Sequence, residues 1–403
     1  MVEIIHHKPF TMKEIQAMKN STMVLANLLS HFPRSEFEKA VKKYSGDRRV
    51  RTLSTCDLLK GLIYGQTTGA FSVREIESSL AAHSSKLYHC GMKPIKRSTF
   101  CDAMETRNHQ IFEAGFQALV SKAQMISGNN GRKFKNPLKI IDASTIELCL
   151  TRFDWAKFRT AKGAVKLHVA LNGDSLFPEQ VRLTTGSIHE VNELSNFDFI
   201  PGDIAVMDRG YGDYKRLSDI DLAGSFFVTR MKNNCQHQHL KIFSSHQGNS
   251  IRCDELVKLT SPKGRENYSK ELRKVTYYDA EYERDYVFIT NNFDLSAQQI
   301  ADIYKARWQV ELFFKWIKQN LKIKTFWGTS LNAVFIQIWV ALIVFILLWI
   351  TKNIDGITAS AQRILQLLKT SLFSNRTIAE LLSEPVPPER DDQIQLYLQG
   401  FKY

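Results

Sequence analysis

Asp142 follows the run Leu138-Lys-Ile-Ile141, and Asp208 follows Ile204-Ala-Val-Met207. In both cases a short apolar stretch ends on an acid. A buried strand would therefore deliver each carboxylate at its edge, where a charge is costly unless it is paired or meets a cation. The third element is the segment Tyr304 to Lys318. At about 100° per residue, Arg307, Glu311 and Lys318 fall about 60°, 20° and 40° to one side of Tyr304, so all four share a narrow stripe. Ala306, Val310, Phe313, Phe314, Ile317 and Leu321 form the packing face, and the stripe lies at its edge, where it can look into a cleft. The stripe runs about 21 Å along a helix, a length suited to tracking a nucleic-acid backbone. Carboxylates converging on hard cations are what phosphodiester chemistry needs, because two ions about 3.5–4 Å apart activate the attacking oxygen and stabilise the leaving one. The competing readings are caps or salt bridges for the acids, and a solvated helix face with Arg–Glu and Glu–Lys pairs for the stripe.

The elements that must position these residues fall into two blocks. Residues 11–125 read as helices, with Met23, Leu25, Leu28 and Leu29, then Phe37, Val41 and Tyr44, at helical spacing. Thr99-Phe-Cys-Asp102 resembles a capping-box start for a helix through Ile111, Phe112 and Phe116. Basic clusters lie at Lys39, Lys42, Lys43, Arg48, Arg49 and Arg51, and again at Lys93, Lys96 and Arg97. After the linker signal Gly128-Asn-Asn-Gly131, strands are expected at 138–141, 165–171, 179–183 and 204–207, with a helix over 190–199. A strand-rich block spans 225–290, and a long amphipathic helix is expected from Ser296 to about Lys322. The fold class is therefore α/β behind an all-helical region.

The 403 residues carry a formal charge of +13, which favours a polyanionic partner and argues against cationic substrates. Six scattered cysteines without a Cys-x-x-Cys pair point to a reduced, cytoplasmic chain. The first ten residues hold no apolar core of a signal peptide. Residues 333–350 are apolar apart from Gln337 and long enough to span a bilayer, but the segment reads better as a buried core helix. Cys235, His237, His239 and Cys253 lack the spacing of a structural zinc site. His189-Glu190 lies between the two acid-bearing segments, either near a metal site or as a helix start.

At the acids and the stripe the chain resembles bacterial insertion-sequence transposases of the DDE type, specifically insertion-sequence family four. That family's Tyr–Arg–Glu–Lys signature is met by Tyr304, Arg307, Glu311 and Lys318, its second-acid motif by Asp208-Arg209-Gly210-Tyr211 and its first by Asp142-Ala-Ser-Thr145. The likeness continues through Phe313 to Gln319 and the apolar helix after Asn332, and the region from Phe37 to Ser79 is similar to a helical domain found in one branch.

The resemblance implies an RNase H-like catalytic core over 131–350 with a β-rich insertion at 233–292. A helical, DNA-contacting domain (1–130) would precede it, and a helical C-terminal segment and tail (351–403) would follow. Asp142, Asp208 and Glu311 would be catalytic and would bind two Mg²⁺ or Mn²⁺ ions. Arg307 and Lys318 would grip phosphates, with Tyr304, Trp308, Arg209 and Lys315 also contacting DNA. The implied reaction is cut-and-paste: water nicks one strand, the freed 3′-hydroxyl makes a hairpin on the other, the hairpin opens, and the ends join target DNA. The partners would be double-stranded transposon ends and target DNA, with a homodimer in the end complex and no membrane. The location would be cytoplasmic, at the bacterial nucleoid.

One departure is that no tryptophan falls in the insertion: the six lie at 155, 308, 316, 327, 339 and 349. Trp308, or Phe243, Tyr268, Tyr277 and Tyr278, would then have to stack on a flipped base. Two other functions remain open: a relative that binds DNA without cutting it, and a metal-free carboxylate hydrolase.

Overall fold

The computed structural model describes residues 23–128, 134–159, 162–247 and 250–383. The helical block comprises α1 (Val24–Ser30), α2 (Arg34–Lys43), α3 (Thr55–Thr68), α4 (Val73–Ala82), α5 (Arg97–Thr106) and α6 (Gln110–Ser127), with a 3₁₀ turn at Ser84–Cys90. Ser54 and Ser72 start α3 and α4 by accepting the N–H groups of Asp57 and Glu75. The helix α3 ends at Gly69, whose φ of 72° is costly for any residue with a Cβ. The expected capping box at Thr99 does not form: α5 begins two residues earlier, and the chain breaks at Arg107–His109 before α6. The linker residues 129–131 and the Pro-rich tail from 384 lie outside the described residues.

The α/β part begins with β1 (Leu138–Leu148), β2 (Lys157–Arg159), β3 (Lys162–Asn172) and β4 (Pro178–Thr185). It continues with α7 (Glu190–Glu193), β5 (Ile204–Met207), α8 (Tyr214–Leu222), β6 (Phe226–Arg230), β7 (His237–Gln247), β8 (Ile251–Leu259), α9 (Pro262–Asn267), β9 (Glu271–Asp279) and β10 (Arg284–Thr290). All ten strands belong to one sheet. Antiparallel β4, β3 and β1 lead into parallel β5 and β6, and antiparallel β10, β9, β8 and β7 extend the far edge. The strand-rich block after Asn233 thus prolongs the sheet through β10 rather than forming a layer of its own. The helix expected over 190–199 shortens to α7 and a 3₁₀ turn at Leu194–Asn196.

The helices α10 (Ala297–Ala306) and α11 (Trp308–Asn320) replace the single helix expected from Ser296. The break falls at Arg307, which keeps helical angles but sits in a tighter turn: its N–H reaches Tyr304 and its carbonyl takes the N–H of Val310. No Gly or Pro marks the spot. The pair packs across one sheet face, α10 against β6 and β9, α11 against β1. That face carries Ile140, Val169 and Val206, while the opposite face carries Ile141, Ala170 and Met207 beneath Tyr211 and Leu217.

The chain closes with α12 (Leu331–Ile354), α13 (Ala361–Ser371) and α14 (Ile378–Ser383). By length and composition α12 is apolar enough to cross a membrane, yet 89% of its most apolar window is buried inside the protein. It packs against α3, α5 and α6, so the N-terminal helices and the sheet share one hydrophobic core. Gln337, the polar residue of its apolar stretch 333–350, is satisfied: its Nε2 donates to the carbonyls of Lys322 (2.7 Å) and Thr325 (2.9 Å), and its Oε1 accepts the N–H of Trp327 (2.9 Å). Gln66 of α3 accepts the N–H of Lys322 at 2.8 Å. Two buried amides thus fix the 321–327 loop against the helical block.

Candidate active site

The parallel ladder of β1 and β5 ends at the pair Ile141–Met207, and the next residue on each strand is an acid. Asp142 alternates with Ile141 and therefore faces α11. Its Oδ1 accepts the N–H of Ala143 at 2.8 Å, and its Oδ2 lies 3.5 Å from Arg307 Nη1. Burial pushes the Asp142 carboxyl up to about 6; the charges of Asp208 and Glu190 add to the rise, while Ala143 and Arg307 oppose it. Asp208 caps the 3₁₀ turn Arg209–Tyr211 by accepting the N–H of Gly210 at 2.7 Å, and its carbonyl takes the Thr229 hydroxyl at 3.0 Å. A Cβ on Gly210 would lie 2.9 Å from Asp208 Oδ1, so a side chain there would displace the carboxylate.

Glu311, in the first turn of α11, accepts Arg307 Nη2 at 2.7 Å. Arg307 thereby forks between Asp142 and Glu311 with its Nε buried and without a partner among the described residues. Lys318 donates to the carbonyl of Thr145 on β1 at 2.9 Å, and burial, with nearby Lys324, pushes its ammonium down. Tyr304 is only 9% exposed and packs on Phe288 at 4.6 Å, so it supports the stripe more than it presents a surface. Trp308 is 56% exposed, and Lys315 and Arg209 are exposed too. Arg307, Glu311 and Lys318 therefore gather beside the middle of β1, between Asp142 and Thr145, while Tyr304 packs on Phe288 of β10.

Tyr211 and Glu190 complete the surroundings. Tyr211 is 2% exposed, its hydroxyl has no partner among the described residues, and burial beside Asp142, Glu190 and Asp208 holds it protonated. It was visible in sequence only as the last letter of the Asp208 motif. Glu190 lies near enough to Asp142 to raise it and pairs loosely with Lys166 at 3.7 Å. Among the described residues no three His, Cys, Asp or Glu side chains are gathered as a metal-ligand set. The Arg307 guanidinium lies between Asp142 and Glu311. The donor chemistry nevertheless suits a hard divalent cation, because all three acids offer oxygen.

The other candidates separate. His239 bonds Glu255, Cys235 takes the Tyr214 hydroxyl, and His237 faces Lys274, so three of the four possible zinc ligands serve other contacts. Of the insertion aromatics, Tyr268 is buried against Phe227 and donates to Asp221, and Tyr277 is buried and accepts from Lys305. Neither is free to stack on a base, whereas Phe243 is exposed and Tyr278 lies against Arg252.

The family described as "Transposase DDE domain" matches residues 133–347, which hold all three acids and the stripe. The chain belongs to the DDE transposase family. A protein of Geobacillus stearothermophilus, named as a transposase for an insertion sequence element, is 35% identical over 67% of this chain and 72% of its own length. A Sinorhizobium fredii protein named as a transposase is 30% identical over 78% of this chain and 86% of its own. A domain family of unknown function matches residues 20–93 of this transposase, within its helical block. A solved piggyBac transposase synaptic complex with hairpin DNA aligns over 93% of this chain and 83% of that one, with 11% identity and a TM-score of 0.42.

Proposed function

We propose that this bacterial transposase binds the ends of its own insertion sequence as a homodimer and carries out metal-dependent cleavage and strand transfer there, as a member of insertion-sequence family four. The observation that carries the reading is the register of β1 and β5, which sets Asp142 beside Asp208 where α11 brings Glu311 within reach of the same arginine. Two Mg²⁺ or Mn²⁺ ions held by Asp142, Asp208 and Glu311 would activate the attacking oxygen and stabilise the leaving one. Arg307 would exchange carboxylate for phosphate. Lys318, steadied by Thr145, would hold a second phosphate along the strand. Arg209, Lys315 and Trp308 are exposed around the site and would contact the same DNA, with Tyr304 behind them. Tyr211 stays protonated and offers a hydroxyl to the acid cluster.

Three antiparallel strands continued by two parallel ones, with acids at the β1 and β5 edges, support an RNase H-like core. The family-four signature supports the dimer and a hairpin route for the second strand, in which exposed Trp308 would stack on the displaced base. In this reading 1–130 contacts DNA, 131–350 is catalytic with its insertion at 233–292, and 351–403 is the helical C-terminal segment and tail. The protein works in the cytoplasm at the nucleoid.

The test is cleavage of a duplex carrying the element's terminus, in Mg²⁺ or Mn²⁺, by Asp142→Ala, Asp208→Ala and Glu311→Ala. Each should lose at least about a thousandfold in rate, about 4 kcal/mol of barrier, while still binding the duplex. An alanine variant that cuts normally removes that acid from the site. A second reading is a relative that binds DNA without cutting, favoured by the way Arg307 already neutralises Asp142 and Glu311. Wild-type binding with no cleavage in either metal would establish it.

A further inference from the structure

A cleft of about 700 Å³ opens between the helical block and the open end of β1. Its walls come from distant parts of the chain: the first turns of α4 and α5, the residues after β1, and the 321–327 loop. Arg74, Arg97, Arg152 and Lys324 line it, all exposed, and none makes an ion pair among the described residues. Glu147 is its one lining carboxylate, and that side chain pairs with Lys162 at 3.6 Å. The amino-terminal ends of two ten-residue helices, α4 and α5, add their partial positive charge. Phe71, 82% exposed, stands at the rim with the Lys322 ammonium 4.0 Å above its ring.

Four cations facing one cleft, without ion pairs among the described residues, raise its positive potential and favour a polyanion there. The loop that carries Lys324 is not placed by chance, because Gln66 and Gln337 spend buried amides on fixing it. The cleft also continues the catalytic strand: Lys318 binds Thr145, feels Lys324, and leads to Glu147 and Leu148.

We infer that this cleft is the seat of the DNA phosphate backbone beyond the cut, with Arg74, Arg97, Arg152 and Lys324 as its phosphate contacts. The inference rests on the transposase-end reading above and extends it to the helical block. Glu147 and Leu148 lie five and six residues past Asp142, about 17–20 Å along the strand. At 3.4 Å per phosphate step that corresponds to about five or six nucleotides from the cleaved bond.

Cys149 gives a direct test, because this exposed free thiol lines the cleft. The wild-type protein is alkylated with N-ethylmaleimide, alone and with a saturating duplex that spans the element's terminus and its flank. Bound duplex should slow modification of Cys149 severalfold. Independently, the variant Arg74→Ala/Arg97→Ala/Arg152→Ala/Lys324→Ala should bind more weakly, with its salt slope reduced by about 3–4 because each phosphate contact contributes about 0.9. Arg152→Gln/Lys324→Gln, which leaves the helical block untouched, should show about half that change. If the protein binds and cuts DNA while Cys149 stays equally reactive and both variants keep the wild-type slope, the cleft assignment is overturned and the catalytic reading survives. If the wild-type protein binds no duplex, the catalytic reading fails and this inference falls with it.

Discussion

Ile141 and Met207 form the last rung of a parallel ladder, so Asp142 and Asp208 are the next residues on neighbouring strands, Asp208 beyond the end of β5 and Asp142 still paired with Val169 of β3. Neither acid is fully compensated. Asp142 has one backbone N–H and a distant arm of Arg307, and Asp208 has the N–H of Gly210. The incomplete compensation has measurable consequences.

The first concerns pH. The folded Asp142 carboxyl sits at about 6, above its unfolded value, so the folded state holds the extra proton. Stability from this group is therefore complete below the unfolded pKa and is lost as pH rises through about 6. In chelated protein, Asp142→Asn should raise Tm by a few degrees at pH 8 and leave it unchanged near pH 4. Thermal melts at the two pH values check this; an equal shift at both would contradict it. Mg²⁺ or Mn²⁺ should stabilise the wild type and not the variant.

A second prediction concerns the turn that aims Asp208. In Gly210→Ala the new methyl group meets Asp208 Oδ1 at 2.9 Å, so the carboxylate must rotate and lose its N–H partner. Cleavage should fall at least about tenfold, which is about 1.4 kcal/mol of barrier, with duplex affinity unchanged. Single-turnover cleavage beside a binding isotherm separates the two quantities. A drop in affinity that accounts for the whole loss would refute the account.

Gln337 supplies the third. Gln337→Leu keeps the apolar surroundings of α12 but leaves the Thr325 carbonyl and the Trp327 N–H without this partner. At about 1–3 kcal/mol for each of these two part-buried groups left unpaired, the cost should be about 2–6 kcal/mol. Urea titration measures it. The loosened 321–327 loop should also weaken duplex binding through Lys324.

Both acids were legible because each follows a four-residue buried run, but only Asp208 follows a strand end: β1, expected over 138–141, continues six residues past Asp142 because β3 pairs with it throughout. Glu311, Arg307 and Lys318 were legible through helical spacing. The break at Arg307 was not: its residue keeps ordinary helical angles, and the tighter turn arises from packing α10 on β6 and β9 while α11 follows β1. Tyr211 escaped because an orphaned hydroxyl is a property of its surroundings. The false capping box at Thr99 shows the opposite failure, where a local motif lost to the burial of Phe100 and Met104 in an earlier-starting helix. The role of Gln337 depends on a loop that no periodicity reveals.

The helix α12 is wrapped by α3, α5 and α6, which lie more than two hundred residues upstream. During synthesis those first helices must wait, their apolar sides uncovered, until the ribosome has produced most of the polypeptide. A message broken before that point would yield an aggregating fragment rather than a half-protein that clings to DNA and blocks its intact siblings.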